Sequence, residues 1–169
     1  MKRWVLVAIA APALGAAVGA AELLPARKTA TASAAHSIER GRYLVMIGGC
    51  NDCHTPDYPA KEGKVPEDKW LVGNALGFNG PWGTTYPSNL RRLMRTMDED
   101  DWVQYARTLE ARPPMPWFNL RIMTEDDLRA IHRYVRSLPA DETPAPDYVP
   151  PGRKPTTPYI VMAPQMPRS

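Results

Sequence analysis

The chain has 169 residues, with 21 Lys and Arg against 18 Asp and Glu, a formal charge of +3 and a pI near 8.9. That length suits one domain with extensions, and without a run of basic residues the small positive balance gives no footing for nucleic acid. Two cysteines allow one disulfide at most.

Lys2 and Arg3 precede an apolar stretch from Trp4 to Ala21, the layout of an export signal, with Val18-Gly19-Ala20 as an acceptable cleavage site. At roughly 18 residues the stretch is near the lower limit for a spanning helix, so an uncleaved anchor is the competing reading. Pro12 and the many Ala and Gly residues weaken a span. Residues 1–20 are therefore read as a signal or anchor, and the remainder is expected in a periplasm, where unoccupied thiols oxidise. Residues 21–36, rich in Ala, Thr and Ser with no apolar period, read as a linker.

Residues 37–138 read as the compact domain. Ser37 can cap a helix through Ile38, Tyr43, Leu44 and Ile47 that ends at Gly48-Gly49. From Thr55 to Leu90 the spacing of Pro56, Pro59, Pro66, Pro81 and Pro87 excludes a long regular element, and so long a loop needs something to pack against. Thr96-Met97-Asp98-Glu99 offers a cap and acidic first turn for a helix through Trp102, Val103, Tyr105, Ala106 and Leu109, halted by Pro113. Thr124-Glu125-Asp126-Asp127 repeats that pattern before Leu128, Ile131, Val135 and Leu138, which share one helical face. Residues 139–169 hold nine prolines and cannot form a helix. They read either as an extended arm on the domain or as disordered, with Tyr159-Ile160-Val161-Met162, a patch worth burying, favouring the arm.

Three short helices joined by long loops bury too little side-chain surface to stand alone. Cys50-Asn51-Asp52-Cys53-His54 suggests what completes the interior. Two thiols three positions apart on a tight turn can reach the two vinyl groups of one porphyrin, and the next residue brings an imidazole under the iron. One covalent haem c, anchored by Cys50 and Cys53 with His54 as proximal ligand, is the expectation. A structural zinc site lacks ligands, since only His36 and His132 remain and both are remote. A thioredoxin-like dithiol lacks its strand and helix alternation, and a disulfide across this short loop would be strained and leaves His54 unexplained.

For the second axial position Met115 is the first choice. Pro114 and Pro116 flank it, so it has few conformations to lose; Met94 and Met97 are the alternatives, and Met123 is read as a core contact. A thioether favours reduced iron and raises the potential.

With these residues in view the chain resembles the class I c-type cytochromes over residues 37–138, carried by Gly41-Arg42-Tyr43-Leu44, Cys50 to His54, Met115-Pro116-Trp117 and Thr124 to Leu138. The resemblance implies an all-α cytochrome c fold, three or four short helices and long loops around one haem, with the first and last helices crossing closely at Gly41 and Tyr134. More narrowly, Gly83 to Leu90 and Met115-Pro116-Trp117 are similar to segments in the cytochrome subunits of periplasmic alcohol- or aldehyde-type dehydrogenases. Pro81, Trp82, Tyr86, Asn89 and Trp117 are candidates to line the pocket or bond the propionates, while Arg91 and Arg92 read as solvated. The implied function is a periplasmic monohaem electron carrier that makes and breaks no substrate bond, exchanging electrons with a dehydrogenase or respiratory complex and an oxidase or cytochrome. The alternatives are a subunit fixed to a dehydrogenase or membrane, and a haem sensor or enzyme with a displaceable methionine.

Overall fold

A computed structural model describes residues 26–164 and 167. The expected signal and its cleavage site lie outside the described residues. Six helices form around one core: α1 (Ala26–Ile47), α2 (Cys50–His54), α3 (Leu90–Arg95), α4 (Glu99–Thr108), α5 (Trp117–Ile122) and α6 (Glu125–Ser137). A short 3-10 turn at Glu67–Lys69 and strands β1 (Gly77–Gly80), β2 (Gly83–Thr85) and β3 (Tyr159–Val161) complete the described elements. The fold is mostly helical, as a cytochrome c fold requires, with a small sheet that the sequence reading did not contain.

The heart of the core is α1 against α6. Val45, Leu128 and Val135 are fully buried there, with Leu44, Ile131 and Tyr134 beside them. Gly41 makes the crossing possible, because a Cβ at this position would stand 2.7 Å from the Cβ of Tyr134 and overlap the Ala130 carbonyl. α6 begins where expected: the Thr124 hydroxyl accepts from the Asp127 amide at 3.2 Å. α4 is capped by Asp98, whose carboxylate accepts from the amides of Asp100 and Asp101. Trp102 donates its indole N–H to the Leu128 carbonyl at 2.9 Å, and His132 donates Nε2–H to the Met97 carbonyl at 3.1 Å.

Several local readings need correction. The backbone is helical from Ala26, so Ser37 lies within α1; its hydroxyl accepts from Arg133 on α6 at 3.0 Å. No Pro or Gly interrupts residues 26–40, and alanine-rich sequence favours helix. α3 and α5 fall where loops were expected. α3 is capped by Asn89, which accepts from the Arg92 amide at 2.9 Å.

β1 and β2 form an antiparallel hairpin turning through Pro81 and Trp82, and β3 joins the other side of β1 in parallel. The proline-rich tail is thus an arm on the domain, as expected, but the strip meant for burial is not covered. Tyr159, Ile160, Val161 and Met162 are 38%, 47%, 58% and 40% exposed, since β3 is held through its backbone. Arg91, read as solvated, is 2% exposed and donates to the Pro139 and Glu67 carbonyls, tying the start of the arm to the loop before α3.

α4 and α6 are also joined by charge. Arg133 donates to both carboxylate oxygens of Glu99 at 2.7 Å, and this bond holds the Glu99 carboxyl below its ordinary value of 4.5. A carboxyl lowered on folding adds stability above its unfolded value and loses it as pH falls through the folded one. With both partners partly exposed, Glu99→Gln is expected to cost about 1 kcal/mol in urea unfolding near neutral pH. The two proteins should converge in acid, below the folded pKa of Glu99.

Candidate functional site: a cavity walled by the Cys50–His54 turn

α1 stops at Gly48 and Gly49, whose amides bond back to the Leu44 and Met46 carbonyls at 2.8 and 3.2 Å. Gly49 takes a left-handed φ of 67°, which turns the chain sharply into α2. Within that single helical turn Cys50, Cys53 and His54 occupy positions i, i+3 and i+4, which share one face. All three line one cavity of about 750 Å³, within the range of small-molecule and cofactor sites.

The outer side of the turn is pinned. Asn51 is 1% exposed; Thr55 donates its hydroxyl to Asn51 Oδ1 at 2.7 Å and accepts from the Leu71 amide at 2.8 Å. The Gly73 amide donates to the His54 carbonyl at 2.9 Å.

His54 is 7% exposed, and its Nδ1 lies 2.7 Å from the carbonyl oxygen of Ser88. A carbonyl can only accept, so Nδ1 carries the proton and Nε2 keeps a free lone pair. Burial also lowers the imidazole pKa and favours the neutral ring. This is the arrangement of a metal-ligating histidine, one nitrogen fixed by a backbone acceptor and the other available. The two thiols are free, Cys50 pushed up to about 11 by burial and Cys53 raised by burial and by Asp52. Among the described residues no group of three or more His, Cys, Asp or Glu side chains is placed to hold a metal ion.

The other walls come from β1 and β2, α3, α4, the 109–116 loop, α5 and the arm. Met115 is half-buried in this wall, its carbonyl accepting from the Trp117 amide at 2.9 Å. The loop is also held by Thr85, whose hydroxyl donates to the Pro113 carbonyl at 2.8 Å. Met94, fully buried on α3, and Met123 line the cavity too, whereas Met97 is not among its lining residues.

Of the five expected pocket residues only Tyr86 lines the cavity. Pro81 and Trp82 make the hairpin turn instead, and the buried Trp82 indole N–H has no acceptor among the described residues. Asn89 caps α3 and donates to Asp141 and Thr143 of the arm. Trp117 opens α5 with Phe118 against its edge and the Arg121 guanidinium 4.3 Å above its ring. Arg92 is exposed and lies 3.8 Å from Glu142. Arg112, Pro146 and Tyr148 also line the cavity, and no sequence pattern pointed to them.

No family model matches the chain, and no solved structure matches it. It is distantly homologous to the gluconate 2-dehydrogenase cytochrome c subunit of Pantoea cypripedii, 28% identical over 125 residues. The match covers 62% of this chain and 27% of that protein, so the chain corresponds to about a quarter of its relative's length. The homology and the Cys50, Cys53, His54 pattern agree with a monohaem c-type cytochrome.

Proposed function

We propose that this distant homologue of a cytochrome c subunit is a monohaem electron carrier, exported to the periplasm by residues 1–20, with its haem domain over residues 37–138. The observation that carries the reading is the joint placement of Cys50, Cys53 and His54 on one face of α2, facing an apolar cavity, with His54 Nδ1 committed to Ser88.

The residues present fit a haem. Cys50 and Cys53 would form the two thioether bonds, the lone pair on His54 Nε2 would meet the iron, and the Met115 sulfur would supply its second protein ligand. When bound, the haem supplies one-electron exchange at its iron. The protein's part is to hold both ligands in one geometry and keep water from the cavity. With two firm ligands little has to move when an electron arrives. Met115 is favoured over Met94 because Met94 is already fully buried on a regular helix, while Met115 sits half-buried on a loop between two prolines. The side chain of Tyr86, which lines the cavity, is the proposed propionate donor. For Asn89, Trp117 and Pro81 a structural role replaces that expectation.

Met115→Ala is the test. The holoprotein should lose completely the weak red absorption of sulfur-bound ferric iron, keep its covalent pigment and show a lower potential. Persistence of the band would move the ligand to Met94 or Met123, the other methionines in the wall.

One observation favours a second reading, a subunit fixed to a larger dehydrogenase. The exposed Tyr159–Met162 strip lies on β3 at the edge of the sheet, and the relative is described as a dehydrogenase subunit. Copurification with a larger enzyme from a periplasmic or membrane fraction would establish it. No helix among the described residues is long and apolar enough to cross a membrane.

A further inference from the structure

The arm after α6 is fixed at three places. Arg95 and Arg91 hold the Leu138 and Pro139 carbonyls, and Asn89 holds Asp141 and Thr143. In its middle, Thr84 and Val149 exchange two backbone hydrogen bonds of 2.7 and 3.0 Å. At its end β3 pairs with β1, and Thr157 donates to the Tyr86 hydroxyl at 2.8 Å. Between the first two anchors Pro146 and Tyr148 face the cavity.

Tyr148 makes two directed contacts there. Its hydroxyl donates to the Trp82 carbonyl at 2.8 Å, and the Arg112 guanidinium lies 3.8 Å from its ring centroid. Arg112 is three residues before Met115 and accepts, through its carbonyl, from the Met115 amide at 3.3 Å. Gly83 is shaped to receive the arm: with φ at 95°, a Cβ there would collide with the Val149 carbonyl and stand 3.0 Å from the Tyr148 ring.

We propose that Tyr148 is a positioning residue for the Met115 loop: the arm is the outer wall of the cavity and, through the Tyr148–Arg112 stack, clamps residues 112–115 against β2. The inference rests on Met115 being the second axial ligand. The loop is tied to β2 by the bond from Thr85 to Pro113 and to the arm by this stack. Without the stack the loop keeps only its tether to β2, and the fraction of molecules with sulfur withdrawn rises.

The test uses the full-length holoprotein and its Tyr148→Ala and Tyr148→Phe variants. Losing a cation–π contact and a hydrogen bond raises the open fraction about tenfold. In Tyr148→Ala the sulfur-to-iron band should therefore disappear about one pH unit lower than in the parent, and carbon monoxide should bind the reduced form about tenfold faster. Exchange of the Met115 and Trp117 amides should accelerate while the Val135 amide in α6 stays unchanged. Tyr148→Phe keeps the ring under Arg112 and should fall between the two. If Tyr148→Ala matches the parent in band, carbon monoxide rate and amide exchange, the clamp is wrong although the carrier reading stands. A parent protein without the band would refute Met115 ligation, and the inference as stated would fall with it.

Discussion

Replacing both Cys50 and Cys53 with Ser is expected to leave a chain that does not reach the native fold. The two thiols stand at the wall of a cavity of about 750 Å³ lined by core side chains such as Val45, Leu120 and Ile131. At about 24 cal/mol per Å³, an unfilled interior space of 750 Å³ costs up to about 18 kcal/mol. That is an upper limit, because the cavity opens to water and its loops can relax inward. Total stabilities are only about 5–15 kcal/mol, so even half the penalty removes most of the margin. The double variant should show weak far-ultraviolet helix signal, rapid proteolysis and no pigment that survives acidified acetone. Native helicity and cooperative unfolding in that variant would show that the protein supplies its own interior.

Gly41→Ala is expected to destabilise the holoprotein by about 3 kcal/mol or more. The sign matters, because on an exposed helix the same change stabilises by about 1 kcal/mol through propensity alone. Here the new methyl group meets the Ala130 backbone and the Tyr134 Cβ, neither of which can rotate away, so α1 and α6 must separate. Separation would also disturb the Tyr134 hydroxyl, which donates to Glu67 at 2.8 Å. Guanidinium unfolding of the variant, beside Glu39→Ala on the exposed side of α1, measures the effect. A loss under about 1 kcal/mol would mean that the helices slide past each other freely.

What could be read from sequence was what regular spacing or one residue's chemistry determines. The cysteine turn was legible because two thiols three positions apart with an imidazole next to them suit one porphyrin, and the α1–α6 crossing through the resemblance to the class I c-type cytochromes, which matched Gly41 with Tyr134. α3 and α5 were not, since six residues make too few turns to display a period. Asn89 was placed in the pocket with its neighbour Tyr86, although Asn before Leu90-Arg91-Arg92 was itself a capping signal. The partner of His54 is a backbone carbonyl, which any residue at Ser88 would offer. The cavity wall made by Pro146 and Tyr148 depends on a contact between distant parts of the chain, and local pattern is silent about those.

The parallel pairing of β3 with β1 sets an order of assembly. Gly77 and Tyr159 are partners across nearly half of the polypeptide, so that ladder closes one of the longest loops in the molecule and forms late. Residues 50–54 lie well before the arm in chain order. In the proposed carrier a haem would therefore enter an open half-shell, before the last wall is hung.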